Sequence, residues 1–157
     1  MVFSVDLINS IAVKFRDAIE EVKRLGEFWQ SGTRERDRME YFPDGCCDDA
    51  TDLFAFYLLE EFGIKSEQEN GVFFSDNFYE KTNHVWLSFF ETDLIVDLTY
   101  DQFKEYHHDD RKIYVGSKSE FHLQADEIRK DKNCNISQNT RLLYDYRKIV
   151  DKLKSLS

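Results

Sequence analysis

A cysteine, a histidine and an aspartate occur in this chain in an order and in settings that suit acyl-transfer chemistry: Cys47, His84 and Asp97. Cys47 follows the turn signal Phe42-Pro43-Asp44-Gly45 and stands at or near the start of a helical pattern. The first N–H groups of a helix lack intrahelical partners and carry partial positive charge, so a thiol there is biased toward thiolate. Gly45, two residues earlier, leaves room for a substrate backbone. His84 opens the strand-like run 84–90, and Asp97 interrupts the apolar run Leu94-Ile95-Val96-Asp97-Leu98. With Glu91-Thr92-Asp93 as the connection, an antiparallel hairpin brings positions 84 and 97 opposite each other, or within two residues of it. A carboxylate in an apolar strand needs a partner, and His84 is the natural one. The acid fixes the tautomer of the histidine and raises its basicity, and the histidine takes the proton of the thiol. That is the thiol form of nucleophile, base and orienter.

The remaining chemical side chains have plainer readings. Cys46 is expected to be a small packing residue, with the role of nucleophile as its alternative. Cys134, in Lys-Asn-Cys-Asn, is incidental. Trp86 is a core residue or one wall of the triad. Gln102 caps a loop or donates to an oxyanion, and Tyr41 is a further oxyanion candidate beside the Cys47 N–H itself. His107-His108-Asp109-Asp110 reads as a loop rather than a metal site, because adjacent residues of an extended segment point apart; no metal or organic cofactor is expected. His122 receives no role.

The elements that position these residues follow from periodicity. Ile8, Ile11, Ala12, Phe15, Ala18, Ile19, Val22 and Leu25 recur at three- and four-residue spacing, predicting a helix within 1–28, capped by Asp6 and stopped by Gly26. Residues 30–41 are polar, and Arg34-Glu35-Arg36-Asp37-Arg38 alternates its charges, as a solvated face or loop does. A second, central helix starts near Cys47 and is closed by Gly63; its apolar residues cover most of its circumference. Strands are predicted at 72–74, 84–90, 94–99 and 112–115, the last ended by Gly116, and a third helix at 138–155. Helices segregated from an antiparallel sheet make an α+β fold, expected as one domain over 1–157.

The blocks Phe-Pro-Asp-Gly-Cys-Cys-Asp-Asp-Ala-Thr, Asn83-His84-Val85-Trp86-Leu87 and Ile95-Val96-Asp97-Leu98-Thr99-Tyr100-Asp101-Gln102-Phe103 resemble a branch of small uncharacterised bacterial proteins in the papain-like, transglutaminase-like superfamily. That branch carries Phe-Pro-x-Gly-Ser-Cys-Gly-Asp-Ala-Ser, Ser-His-Ala-Trp-Leu and Ile-Asp-Ile-Thr-x-Asp-Gln-Phe. The resemblance spans residues 42–103, with a weaker tail at 112–122. It implies a papain-like fold in which a central helix bearing Cys47 packs on a small antiparallel sheet with flanking helices. It also implies Cys47 as nucleophile, His84 as base and Asp97 as orienter. Three positions depart from the pattern: Cys46 for Ser, Asn83 for Ser, and Asp48 for Gly, which sets a carboxylate beside the thiol.

The expected activity is attack on an amide or peptide bond through a thioester, as a protease, a glutamine deamidase or a transglutaminase-like acyl transferase. The alternative is a catalytically silent papain-like binding module. The bacterial setting of the family adds a toxin, effector or phage-conflict role as a third possibility. The expected partner is a protein or peptide. With 31 acidic and 21 basic residues, a net charge of −10, the chain is a poor match for nucleic acid. An apolar fraction of 41% with 15% aromatics excludes a disordered chain. No apolar run approaches the length of a membrane span. The start Met-Val-Phe-Ser-Val-Asp is not a Sec signal peptide. Three cysteines without a CxxC pair argue against a disulfide framework or a zinc ribbon and for reduced thiols. The expected compartment is the cytoplasm, or export as an effector without a Sec signal.

Overall fold

The computed structural model describes residues 4–30, 38–74, 82–131 and 135–157. Helix α1, Val5–Arg24, buries Ile8, Ile11, Ala12, Phe15, Ala18, Ile19 and Val22, the stripe its spacing predicts. Its cap is Ser4, whose hydroxyl accepts from the Leu7 N–H at 3.0 Å, not Asp6. Asp6 lies inside the first turn, where its charge meets the positive end of the helix. At the far end Gly26 adopts φ +68°, and the N–H groups of Gly26 and Glu27 return to the carbonyls of Lys23 and Val22, a Schellman closure that favours glycine.

Helix α2 runs Cys47–Phe62 and buries Ala50, Leu53, Phe54, Ala55 and Leu58, while Leu59 and Phe62 at its far end are exposed. The C-terminal helix α5, Thr140–Leu156, is capped by Asn139, whose side chain accepts from the Leu142 N–H. Between them lie the strands β1 (Glu67–Phe73), β2 (Thr82–Ser88), β3 (Leu94–Asp97), β4 (Tyr114–Ser117) and β5 (Glu127–Asp131), with the one-turn helices α3 (Lys104–His107) and α4 (Glu120–Leu123). Two 3-10 turns, Arg38–Tyr41 and Tyr100–Phe103, complete the path. The strands form one antiparallel sheet in the order β4-β3-β2-β1-β5. The fold is therefore α+β, with a small five-stranded antiparallel sheet and flanking helices.

Side chains alternate across the sheet, and the two faces differ. Leu87, Leu94 and Val96 join the helical core made by α1, α2 and α5. Phe73, Trp86 and Ile95 face a second, smaller core closed by Tyr100, Phe103 and Phe121. His84 and Asp97 have the parity of Trp86.

Several boundaries differ from expectation. β1 starts at Glu67 rather than 72, and β4 covers 114–117 rather than 112–115, with Gly116 inside it. β5 was not expected at all. Glu67, Gln68, Glu69 and Asn70 are poor strand formers, yet Glu67 and Glu69 pair with Lys130 and Glu69 with Lys118. β5, Glu-Ile-Arg-Lys-Asp, carries the charge density of a protected edge strand. The α2 pattern looked buried nearly all round, and the structure buries mainly its first three turns. Arg34, Glu35, Arg36, Asp37 and Cys134 lie outside the described residues. Among the described residues no helix is long and apolar enough to cross a membrane.

Candidate active site

The turn before α2 folds as its residues dictate. The Asp44 N–H bonds the Tyr41 carbonyl at 2.9 Å, and Gly45 takes φ +69°, with nothing within 4 Å of where a Cβ would stand. The next two residues part company. Cys46 is fully buried in the helical core, as a packing residue should be, whereas Cys47 keeps 8% exposure and lines a cavity of about 310 Å³. Gly45, Asp48, Asn70, Asn83, Gln102 and Phe103 are among its other walls. Among the described residues Asp48 is the only acid that lines it beside the thiol, and no Lys or Arg does.

The hairpin brings His84 and Asp97 together. β2 and β3 pair Leu87 with Val96 and Ser88 with Ile95. Carried two residues on, that register sets Asp97 across from Trp86, so His84 meets it as a diagonal neighbour. The His84 Nε2–H donates to Asp97 Oδ2 at 2.8 Å, and both side chains are fully buried. Asp97 has more partners than the sequence suggested. The His122 Nε2–H donates to the same Oδ2 at 2.9 Å, and the Thr99 N–H to Oδ1 at 3.1 Å. Burial alone would push the Asp97 carboxyl up, but the charge of His84 and the bonds from His122 and His84 hold it well below the carboxylate range. Burial likewise disfavours imidazolium at His84, yet the charge and hydrogen bond of Asp97, followed by those of Cys47, raise its proton affinity. The other ring nitrogen of His84, Nδ1, is buried and makes no hydrogen bond of ordinary geometry.

Four buried side-chain atoms among the described residues lack a hydrogen bond: Glu67 Oε2, His84 Nδ1, Gln102 Oε1 and Arg141 Nη1. Two of them stand by the thiol, because His84 is coupled to Cys47 and Gln102 lines the Cys47 cavity. Unmet polar groups are costly in an interior, so these two single out the surroundings of Cys47 as the candidate site.

The other candidates divide. Gln102 reaches the cavity. Trp86 does not: it is fully buried, donates its Nε1–H to Glu69 at 3.0 Å and lies edge-on to His122 at 4.9 Å. It is an inner wall behind the histidines rather than a substrate contact. Tyr41 ends its 3-10 turn 45% exposed and is not among the residues lining the cavity. His107 closes α3 rather than lying in the loop the sequence suggests, its Nε2–H donating to the Tyr100 carbonyl and its Nδ1 accepting from the Asp109 N–H. Among the described residues no three His, Cys, Asp or Glu side chains converge as a metal would require. The residue that sequence reasoning missed is His122. Its only local signal is the spacing Ser119-x-x-His122, which builds a capping box on α4.

No family profile, curated protein or solved structure matches this chain.

Proposed function

We propose that this protein is a papain-like cysteine-nucleophile enzyme that cleaves or exchanges an amide bond of a protein or peptide. The observation that carries the proposal is the buried His84, tied by one nitrogen to Asp97 and left by the other with Cys47 as its electrostatic partner. The chain order also fits: Cys on a helix, then His and Asp on adjacent antiparallel strands.

In the proposed reaction His84 takes the Cys47 proton, and the Cys47 sulfur bonds the carbonyl carbon. The Cys47 N–H, at the free end of α2, faces the developing oxyanion. The C–N bond then breaks, and the amine leaves with the proton from His84. Water or a second amine, deprotonated by His84, releases the acyl group from the thioester. Hydrolysis of a backbone amide makes a protease, hydrolysis of a glutamine side chain a deamidase, and aminolysis an acyl transferase. The cavity supports a neutral carboxamide over an anionic substrate, since among the described residues Asp48 is its only fixed charge and Gln68, Asn70, Asn83 and Gln102 line it. The unmet Oε1 of Gln102 is a ready acceptor for a substrate N–H, while its Nε2 would serve an oxyanion.

The test is the pH dependence of iodoacetamide labelling, assigned by mass spectrometry. Cys47 should be alkylated at pH 6 much faster than a free thiol, and His84→Ala should abolish this. A Cys47 that labels like an ordinary thiol in wild type sinks the enzyme reading. It would favour the second one, a silent papain-like binding module. The observation on that side is Asp48, a carboxylate that lines the same cavity as the thiol.

A further inference from the structure

We infer that His122 is a positioning residue for the proposed thiol site, its neutral ring donating Nε2–H to the same Asp97 oxygen that His84 uses. The inference rests on the triad reading for its chemical meaning, and on independent geometry for its content. Ser119 N–H points at His122 Nδ1 at 3.3 Å, and Ser119 Oγ lies 2.7 Å from that nitrogen. A ring nitrogen that accepts from a backbone N–H carries no proton, so the proton sits on Nε2. Ser119 is itself held as the cap of α4, accepting from the His122 N–H. The tautomer is therefore written into the backbone.

The surroundings keep the ring neutral. His122 is 1% exposed and packs against Trp86 from β2, Tyr114 from β4 and Tyr100 from the turn after β3. The titratable groups facing it are Asp97, His84, His107, Tyr100 and Tyr114. Burial lowers its pKa, and Asp97 opposes that while His84 and His107 add to it; the net direction is down. A neutral donor suits the role. A second imidazolium would compete with His84 for the carboxylate charge, whereas a neutral N–H fixes Oδ2 and stabilises the anion without adding a charge.

Wild type, His122→Phe and His122→Gln test this, because glutamine can return an N–H near the place of Nε2 and phenylalanine cannot. Nitrogen-15 NMR of wild type should show His122 as the Nε2–H tautomer, with any titration displaced below its ordinary 6.5. In His122→Phe the Asp97 carboxyl, followed by carbon-13 NMR, should titrate about one pH unit higher. The urea midpoint of that variant should fall at pH 7 and reconverge with wild type as Asp97 protonates in acid; a purely packing role would lower it equally at every pH. His122→Gln should keep the wild-type profile, and alkylation of Cys47 at pH 6 should slow severalfold in His122→Phe alone. A His122 that titrates near its ordinary 6.5, or a loss in His122→Phe that is independent of pH, overturns the inference. Should His122→Phe not fold, the tautomer and His122→Gln still decide. The NMR and urea readings are repeated in Cys47→Ala, so an inert thiol would defeat the enzyme reading without touching this one.

Discussion

Two ionic clusters meet where β3 runs into the segment that follows it, and they are finished differently. Arg16 of α1, 3% exposed, bonds Glu20, the Leu98 and Lys112 carbonyls and both oxygens of Asp101 at 2.7–3.0 Å. Its guanidinium also lies over the Phe42 ring at 4.9 Å. Asp97, one residue before Leu98, gathers His84, His122 and the Thr99 N–H. The Arg16 cluster leaves none of its buried side-chain atoms unmet, whereas the Asp97 cluster ends at His84 Nδ1, which makes no hydrogen bond of ordinary geometry and has Cys47 as its electrostatic partner. A saturated cluster is accounted for by holding the fold, whereas one that stops an atom short beside a thiol is where the proposed proton transfer would take place. The first also serves the second, since Asp101 and Leu98 bracket the path from Asp97 to Gln102.

The sharpest way to break this contrast is to remove Arg16. Arg16→Ala strands two carbonyls and a carboxylate, and should cost about 3–5 kcal/mol, or a fall of about 10 °C in Tm for a chain of this size. Asp101 is partly exposed, which favours the lower end. Urea denaturation measures the cost. Cys47 labelling should keep its pH midpoint wherever the variant is folded. A loss under about 1 kcal/mol would mean that Arg16 is not the anchor described.

Asp97→Asn should lose about 2–3 kcal/mol, and its effect should depend on pH. The folded-state pKa of Asp97 is lowered, so its contribution is present above its ordinary 3.8 and fades as pH falls through the folded value. That of His84 is raised, so its contribution is complete below 6.5 and fades as pH rises toward the folded value. The gap between wild type and Asp97→Asn should therefore be widest between these two ordinary values. A gap of constant width from pH 3 to 9 would uncouple the pair. Gly71→Ala comes next. Its Cβ would stand 2.4 Å from a Trp86 ring carbon, so the indole must shift at about 1–3 kcal/mol. The Trp86 fluorescence spectrum should move with it; an unchanged spectrum and stability would mean that the ring is not wedged.

How far the sequence reveals this arrangement depends on the range of each interaction. The stripes of α1 and α5 and the hairpin are local periodicities, and the His84–Asp97 contact follows from a turn length and a two-residue register. The fit of Cys46 into the core and of Cys47 into the cavity follows from their place at the head of α2. What stayed hidden is held by distant or very short elements. Asp101 makes sense only through Arg16, 85 positions earlier. His122 sits on a four-residue helix and reaches Asp97 across 25 positions. The first half of β1 and all of β5 hide because their charges, which pair across the sheet, look like loop composition in one dimension.

The smallest effect belongs to an ion pair that contrasts with Arg16 in every respect. Arg111 and Asp109 are two residues apart, and the Arg111 side chain is 58% exposed. Their bonds include Arg111 N–H to Asp109 Oδ1 at 2.9 Å and Arg111 Nη2 to Oδ2 at 2.5 Å. The side-chain and backbone bonds from Arg111 lower the Asp109 pKa to about 2, yet the Arg111 end of the pair stands mostly in water. The gain is screened there, and the loop must order two side chains to obtain it. Asp109→Asn should therefore cost less than about 1 kcal/mol. The loss should be present above the ordinary 3.8, shrink as pH falls toward 2, and weaken in 1 M salt, where the screening length is about 3 Å. The Arg16 loss should persist in the same salt because the Arg16 side chain is itself buried and also holds two backbone carbonyls. If both losses respond alike, burial is not what separates the two pairs, and the contrast between saturated and unfinished clusters loses its physical basis.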